Sequence, residues 1–161
     1  MPEIIKHPIA PAWNSESEVL ILGSFPSVKS RESAYFYGHP QNRFWPVLAA
    51  LFQDRCPVSN QEKQDFLLKH HVAVWDVIAS CEIDGSADSS IRNVRANNIN
   101  IILENAKIRQ IFCNGQTAYR LYQKYILPVS NRTAVCLPST SPANARWTFD
   151  RLVQAWSVII L

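Results

Sequence analysis

Residues 23–45, GSFPSVKSRESAYFYGHPQNRFW, combine more chemically useful side chains than a connecting loop needs. The segment holds the aromatic triplet Tyr35-Phe36-Tyr37 and the basic residues Lys29, Arg31 and Arg43. It also presents His39 and the amide of Asn42 near the start of the following helix. The apolar run at residues 19–22 before it has the character of a buried strand, and a helix-like apolar run follows it as far as Phe52. In open α/β sheets, the crevice at such a strand end is where ligands bind. We therefore expect binding or catalytic residues in this loop.

Polar turns also follow the other three predicted strands. Asp76 ends the strand VAVWD at residues 72–76, and Asn114 with Gly115 follows the strand at residues 109–113. The serine-rich turn PSTSPAN, residues 138–144, follows the strand at residues 134–137. Parallel strands place their carboxyl ends at one edge of a sheet, so we expect the four turns to converge there. Backbone N–H groups in such turns and at helix starts are donors for a bound anion.

The order of the predicted elements indicates the fold class. Strands are predicted at residues 18–22, 72–76, 109–113 and 134–137, and the main helices at about residues 41–52, 61–70, 115–127 and 145–158. Alternation of strands and helices predicts a four-stranded parallel sheet between two layers of helices, an α/β/α three-layer sandwich. Residues 1–17 are predicted to form an extended, irregular arm, and residues 80–93 a long loop. Without repeats or linkers, residues 1–161 are predicted to form a single domain.

Composition narrows the classes of protein that this chain can belong to. The 161 residues are 47% apolar, which is typical of one folded domain with a real core. No apolar run approaches the length of a membrane span, and the first ten residues lack the apolar region of a signal peptide. The four cysteines are scattered without a C-x-x-C pair, which argues against a zinc or iron–sulfur site and fits a reducing, cytoplasmic setting. The net charge of +3 permits a polyanionic partner.

Four groups of motifs together carry a resemblance to a known family: LILGSFP, YFYGHPQNRFWPVL, VAVWDVIASCE with IFCNG, and LPSTSPANA. The chain resembles the uracil-DNA glycosylase superfamily, and most closely its hypoxanthine-DNA (deoxyinosine) glycosylase branch, from about residue 19 to residue 156. HPQNRFW and LPSTSPAN are the specific motifs. The resemblance implies a DNA-repair enzyme of base excision repair, a monofunctional glycosylase that hydrolyses the N-glycosidic bond of a flipped deaminated base. It implies no metal and no organic cofactor, and we expect a monomer that acts on DNA containing deaminated bases.

The resemblance also implies where the catalytic residue lies. In the superfamily, the turn after the first strand usually carries a catalytic Asn or Asp, and here that position is Phe25. In the hypoxanthine branch the catalytic Asn comes from the helix that follows, and the matching residue is Asn42. An amide is a poor general base, so Asn42 is expected to position the attacking water or to hold the departing base.

Binding of the flipped base and of the DNA backbone requires residues other than Asn42. Hypoxanthine, the first expected substrate, and uracil, the second, each present a ring N–H beside a carbonyl oxygen. Asp76 is the expected acceptor for that N–H, and Tyr37 is expected to stack on the base. The predicted base-binding residues are Phe25, Tyr37, Asp76 and Asn114. The predicted DNA-binding residues are Ser139, Thr140, Ser141 and Arg146, with Lys29 and Arg31 as further cations near the loop.

Structural roles compete with each of these assignments. Asp76 and Asn114 can cap their turns, Asn42 can simply start a helix, and His39 can be structural or act as an acid. Arg43 can pair with a carboxylate in the core or touch DNA. Two other kinds of protein also remain open: a non-catalytic DNA-binding member that lost its water activator at Phe25, and a hydrolase of free nucleosides.

Overall fold

The computed structural model describes residues 3–83 and 92–160, apart from the side chains of residues 3, 28, 29 and 83. The strands within these ranges are β1 (Glu3–Lys6), β2 (Val19–Gly23), β3 (Val72–Asp76), β4 (Ile78–Ile83), β5 (Arg92–Ala96), β6 (Gln110–Asn114) and β7 (Ala134–Leu137). They form a four-stranded sheet in the order β3-β2-β6-β7 and a three-stranded sheet in the order β1-β4-β5. Every neighbouring pair in the four-stranded sheet is parallel, which confirms the predicted parallel sheet.

Helices cover both faces of the parallel sheet. They are α1 (Val28–Ser33), α2 (Phe44–Phe52), α3 (Asn60–Lys69), α4 (Asn100–Asn105), α5 (Gln116–Leu121), a π-helix (Tyr122–Ile126), α6 (Leu127–Ser130), α7 (Phe149–Trp156) and a 3₁₀ turn (Ser157–Ile159). Side chains of a strand alternate between its two faces. Val19 and Ile21 of β2 accordingly pack with α2, α3 and α7, while Leu20 and Leu22 pack with α4, α5 and the π-helix. The three-layer α/β/α sandwich is confirmed.

The second sheet corrects two predictions. The segment predicted as a loop at residues 80–93 contains most of β4 and the start of β5, and the predicted irregular arm begins with β1. β1 and β5 each pair antiparallel with β4. The sequence of β5, RNVRA, is largely exposed and lacks the apolar alternation that marks a strand, so local pattern gave no signal for it. Residues 84–91 lie outside the described part of the chain.

Three helix predictions are also corrected. α2 begins at Phe44 rather than near residue 41, and α7 begins at Phe149 rather than at residue 145, after the N-cap Thr148. The predicted helix at residues 115–127 is divided into α5, the π-helix and α6, and it continues past Pro128. Proline is tolerated there because it lies in the first turn of α6, where its missing N–H has no intrahelical partner to lose.

Candidate active site

The carboxyl ends of the parallel strands bring the candidate residues to one edge of the sheet. Gly23 at the end of β2 is the register partner of Asp76 at the end of β3. Asn114 at the end of β6 is the register partner of Leu137 at the end of β7, and the serine-rich turn follows directly. The convergence predicted from the four strand ends is therefore present in the fold.

Gly23 allows the Asp76 carboxylate to pack directly against the backbone of β2. A Cβ atom at position 23 would lie 2.4 Å from Asp76 Oδ1 and 3.0 Å from the Tyr37 hydroxyl oxygen. Only a residue without a side chain permits this close approach. Asp76 itself is 3% exposed, so the carboxylate lies in the wall of the crevice beneath the loop.

Tyr37 is held in an unusual conformation at the same place. Its φ angle of 53° is in the left-handed region, which is strained for a bulky residue. Its ring stacks on Phe44, with centroids 4.0 Å apart and an interplanar angle of 26°. The hydroxyl is buried without a well-formed hydrogen bond among the described residues. Burial, reinforced by the Asp76 charge and partly offset by Asn114, raises the pKa of Tyr37 well above its usual range, so the hydroxyl remains a neutral donor.

Three side chains from distant parts of the sequence form a continuous hydrogen-bonded chain. Asn114 Nδ2 donates to Thr140 Oγ1 at 3.0 Å, and Thr140 Oγ1 donates to Asn42 Oδ1 at 2.9 Å. The Thr140 backbone N–H also donates to Asn114 Oδ1 at 3.0 Å. Because each hydroxyl or amide polarises the next, such a chain fixes and strengthens its terminal group. That terminal group is the side chain of Asn42.

The contacts of Asn42 determine which end of its amide is free. Its Oδ1 accepts from the Phe44 backbone N–H at 2.9 Å as well as from Thr140. A backbone N–H can only donate, so the oxygen and nitrogen of this amide are assigned by the contact itself. The Nδ2 group makes no hydrogen bond to the described residues, and it is therefore the end available to a substrate. Asn42 thus offers N–H donors and no spare acceptor.

Arg43 stabilises the serine-rich turn from inside. Its guanidinium donates to the backbone carbonyls of Trp147, Ser141 and Asn144, the latter two at 3.3 and 3.1 Å. Its backbone N–H donates to the Thr140 carbonyl at 3.1 Å. Neither alternative from the sequence describes these contacts, because the partners are carbonyls of the turn rather than a carboxylate. Arg43 therefore couples the segment carrying Asn42 to the segment carrying Thr140.

The predicted DNA-binding residues differ in accessibility. Thr140 is fully buried and its hydroxyl is used within the hydrogen-bonded chain, so its position suits a supporting role better than a contact with phosphate. Ser139 and Ser141 are half-buried, and each accepts a backbone N–H two residues further along the turn. Arg146 is exposed at the end of this turn, and its side chain has no partner among the described residues.

The loop residues that complete the set are Phe25, Arg31 and His39. Phe25 is half-buried, and the Arg31 guanidinium carbon lies 5.8 Å from the centroid of its ring. His39 accepts the Gln41 backbone N–H with Nδ1 at 3.0 Å, and its carbonyl accepts the Asn42 N–H at 2.9 Å. These contacts give His39 a structural role in the turn before Asn42. The side chain of Lys29 lies outside the described part.

Sequence reasoning missed one residue of the site, His7. Its Nε2 lies 2.7 Å from Asp76 Oδ2, and the two side chains are 4% and 5% exposed. His7 follows β1 in a proline-rich segment without periodicity, and its partner is 69 positions away. No local pattern connects such a pair.

A sequence profile described as "Uracil DNA glycosylase superfamily" matches residues 11–159. The chain belongs to the uracil DNA glycosylase superfamily. The match covers the four parallel strands and the turns that follow them, from β2 to the turn after β7. The resemblance carried by the loop and turn motifs is thereby confirmed.

Two relatives and one solved structure that are similar to this chain are also named as DNA glycosylases. A hypoxanthine DNA glycosylase of Methanosarcina acetivorans is 33% identical over 150 residues, covering 92% of this chain and 94% of that protein. A hypoxanthine DNA glycosylase of Methanosarcina barkeri is 28% identical over 143 residues, covering 88% and 89%. A solution NMR structure from M. acetivorans, described as a candidate uracil DNA glycosylase, has a TM-score of 0.82 at 29% identity, covering 98% and 96%. Within the uracil DNA glycosylase superfamily, this chain is a DNA glycosylase.

Residues 3–83 and 92–160 contain no group of three or more His, Cys, Asp or Glu side chains that could hold a metal ion. The same ranges contain no helix that is long and apolar enough to cross a membrane.

The Thr140 hydroxyl provides a first test of the site of this glycosylase. Thr140→Val keeps the shape of the side chain but removes the link between Asn42 and Asn114. We expect a loss of excision rate of about 10-fold, because the Asn42 amide is no longer held in one direction. The unpaired Asn114 amide should also cost ~1–3 kcal/mol of unfolding free energy, measured in urea. Thr140→Ser keeps the hydroxyl and should remain near wild type; equal behaviour of the two variants would show that the hydroxyl is not the link.

Proposed function

We propose that this chain removes hypoxanthine from DNA by hydrolysing the N-glycosidic bond of a flipped deoxyinosine nucleotide. The observation that carries the proposal is the hydrogen-bonded chain Asn114–Thr140–Asn42, which presents the Asn42 N–H donors at the carboxyl edge of the sheet. The names of the two curated relatives support hypoxanthine as the base. The half-buried aromatic residues of the loop support a flat substrate.

In the proposed reaction, the main barrier to bond cleavage is the negative charge that develops on the departing base. Cleavage of the bond between C1′ and the base nitrogen leaves its electron pair on the base, while the sugar becomes cationic, as in glycoside hydrolysis. Water then bonds to C1′, and its proton ends on the base. The Asn42 Nδ2 donors suit the base, which gains negative charge in the transition state. Because Asn42 Oδ1 is already occupied, holding the departing base is the role we assign to Asn42.

Recognition of the base is assigned to Asp76 and Tyr37. Hypoxanthine offers an N1–H donor, whereas adenine has a bare N1 acceptor that an Asp76 carboxylate would repel. The Tyr37 ring supplies stacking and its neutral hydroxyl supplies a donor in the same wall. Since Asp76 is 3% exposed, the base reaches it only when neighbouring side chains of the crevice move aside.

We assign binding of the DNA backbone to residues at the rim of the crevice. Ser139 and Ser141 lie in the turn after β7, and Arg146 is the exposed cation beside it. Contacts of this kind fix the register of the duplex without reading its sequence. Thr140 supports them from below through its buried contacts.

Charge reversal at Arg146 should weaken binding to all DNA sequences alike. We expect Arg146→Glu to lower affinity several-fold and to make the dependence of log affinity on log salt less steep, because fewer counterions are released. Lys107→Glu is the matched control, since it changes charge equally at an exposed position before the amino end of β6. Fluorescence anisotropy with labelled duplexes at several salt concentrations provides the measurement. If both variants bind equally well, the rim assignment is wrong.

A panel of oligonucleotides tests the substrate. Each duplex carries hypoxanthine, uracil, xanthine or thymine opposite each normal base, and abasic sites are revealed with alkali. We expect hypoxanthine to be released fastest and uracil next, following the names of the two curated relatives and of the superfamily. Binding without release of any base would support the non-catalytic alternative, and release from free deoxyinosine alone would support a nucleoside hydrolase.

A further inference from the structure

The segment that directly follows the N-terminal strand β1 contributes a residue to the proposed site. We propose that His7 is a positioning residue that holds the Asp76 carboxylate in the orientation needed to recognise the flipped base. This inference rests on the proposed function, in which Asp76 reads the ring N–H. It also gives the small antiparallel sheet a role, because that sheet brings His7 to the crevice.

The His7 ring is fixed on all sides. Nε2 lies 2.7 Å from Asp76 Oδ2, and Nδ1 accepts the Ile9 backbone N–H at 3.2 Å. The ring packs edge-on to Phe25, with centroids 5.8 Å apart, and at a tilt to Phe36, with centroids 6.1 Å apart. A side chain that uses both nitrogens and both flanks is held in one rotamer.

These contacts determine the protonation of the ring. The Ile9 N–H is a donor, so His7 Nδ1 must offer a lone pair. A neutral ring therefore carries its proton on Nε2, and this proton is donated to Asp76 Oδ2. His7 consequently acts as a fixed hydrogen-bond donor and not as a second charge.

Backbone hydrogen bonds connect the segments that carry His7 and Asp76 to each other and to the carboxyl end of β2. The His7 N–H donates to the Ala79 carbonyl at 2.7 Å, on β4, which begins two residues after Asp76. Val77 N–H in turn donates to the Gly23 carbonyl at 2.8 Å. Backbone hydrogen bonds therefore connect both the second sheet and the end of β2 to the segment that carries the carboxylate.

The two carboxylate oxygens of Asp76 therefore have different contacts. Oδ2 is occupied by His7, whereas Oδ1 packs over Gly23 beside the Tyr37 hydroxyl. A buried carboxylate that loses its donor rotates toward another one, because an uncompensated buried charge is costly. Without His7, Oδ1 would no longer be held where a base can meet it.

The test compares three variants in single-turnover excision of hypoxanthine. His7→Phe keeps an aromatic ring but removes the donor, and we expect a loss on the order of 10- to 100-fold. His7→Gln can still donate to Asp76 and should recover most of that rate. His70→Phe is the matched control, because His70 Nε2 pairs with Asp54 Oδ2 at the same 2.7 Å, away from the crevice, and its loss should leave the rate unchanged.

A double-mutant cycle separates positioning from general structural support. If His7 acts through Asp76, then His7→Phe combined with Asp76→Ala is no slower than Asp76→Ala alone. Multiplying losses, an unchanged rate for His7→Phe, or equal impairment of His7→Gln and His7→Phe would overturn the inference. Thermal unfolding of each variant identifies any that fail to fold.

NMR tests the hydrogen bond between His7 Nε2 and Asp76 Oδ2 independently of enzyme activity. Two-bond ¹H–¹⁵N correlations of the wild-type ring should show the Nε2–H tautomer, with a hydrogen-bonded proton that shifts in Asp76→Ala. An Nδ1–H tautomer or a doubly protonated ring at neutral pH would overturn the inference. If wild-type protein releases no base from any oligonucleotide, the proposed function fails; if it releases hypoxanthine and His7→Phe does so equally fast, only the inference fails.

Discussion

Replacing Asn42 with alanine is expected to slow hypoxanthine excision by on the order of 100-fold or more, the typical effect of losing one preorganised transition-state contact. Two donors to Oδ1 fix the Asn42 amide before any substrate binds, so its Nδ2 donors need no reorganisation during the reaction. Alanine removes these donors and also the acceptor of the Phe44 N–H, although α2 itself begins after this residue. The measurement is the single-turnover rate with enzyme in excess, accompanied by DNA affinity and thermal unfolding.

Aspartate at position 42 separates the two roles open to the amide. A carboxylate can orient water and stabilise a cationic sugar, but it cannot donate a hydrogen bond to an anionic base. Because the free end of Asn42 is its donor end, we expect Asn42→Asp to be as slow as Asn42→Ala. Asn98→Ala, at an exposed amide whose side chain makes no described hydrogen bond, is the control and should retain the wild-type rate. A wild-type rate for Asn42→Ala would redirect attention to His39 and Asn114.

A single methyl group at Gly23 is expected to cause the other large loss. Gly23→Ala would place its Cβ 2.4 Å from Asp76 Oδ1, so the carboxylate must rotate or the strands must separate. Either change misplaces the carboxylate that we propose reads the base, and we expect a loss on the order of 100-fold in excision rate. Ser24→Ala, which adds no atom at the next position, should remain near wild type.

The cause of the Gly23→Ala defect can be checked by removing the clash. In an Asp76→Ala background the carboxylate is absent, so adding the methyl group at position 23 should cost little more. Rates are again single-turnover excision of hypoxanthine. If the two losses multiply instead, the methyl group acts through the backbone of β2 or through Tyr37, and the close approach of Asp76 is not the reason for glycine.

The parallel sheet was predictable because each strand is a short apolar run followed by a polar turn. The run VLILG is buried along its whole length as β2, and Asp76 ends β3 as predicted. Asn114, predicted to follow its strand directly, is the last residue of β6. Parallel topology alone then places these residues at one edge. The superfamily motifs lie at the same edge, which is where we propose that the chemistry takes place.

The contacts within the site were not predictable, since they join residues that are far apart in the sequence. Arg43 reaches a carbonyl 104 positions away, and His7 reaches Asp76 across 69 positions. Thr140 belongs to a serine-rich turn, which by composition is expected at the surface, yet it is fully buried. The antiparallel sheet was missed because β5 is short, mostly polar and exposed, and a single apolar residue, Val94, packs against the buried residues of β4.

The most direct test of this account is release of free hypoxanthine from a duplex containing one deoxyinosine, measured side by side for wild type and Asn42→Ala at stoichiometric enzyme. Purifying both proteins identically controls for a contaminating host glycosylase, because the contaminant would be present in both. The account predicts rapid release and an alkali-labile site with the wild type, and release slower by on the order of 100-fold with the variant at equal DNA affinity. Failure of the wild type to release hypoxanthine, or equal release by both proteins, would contradict it.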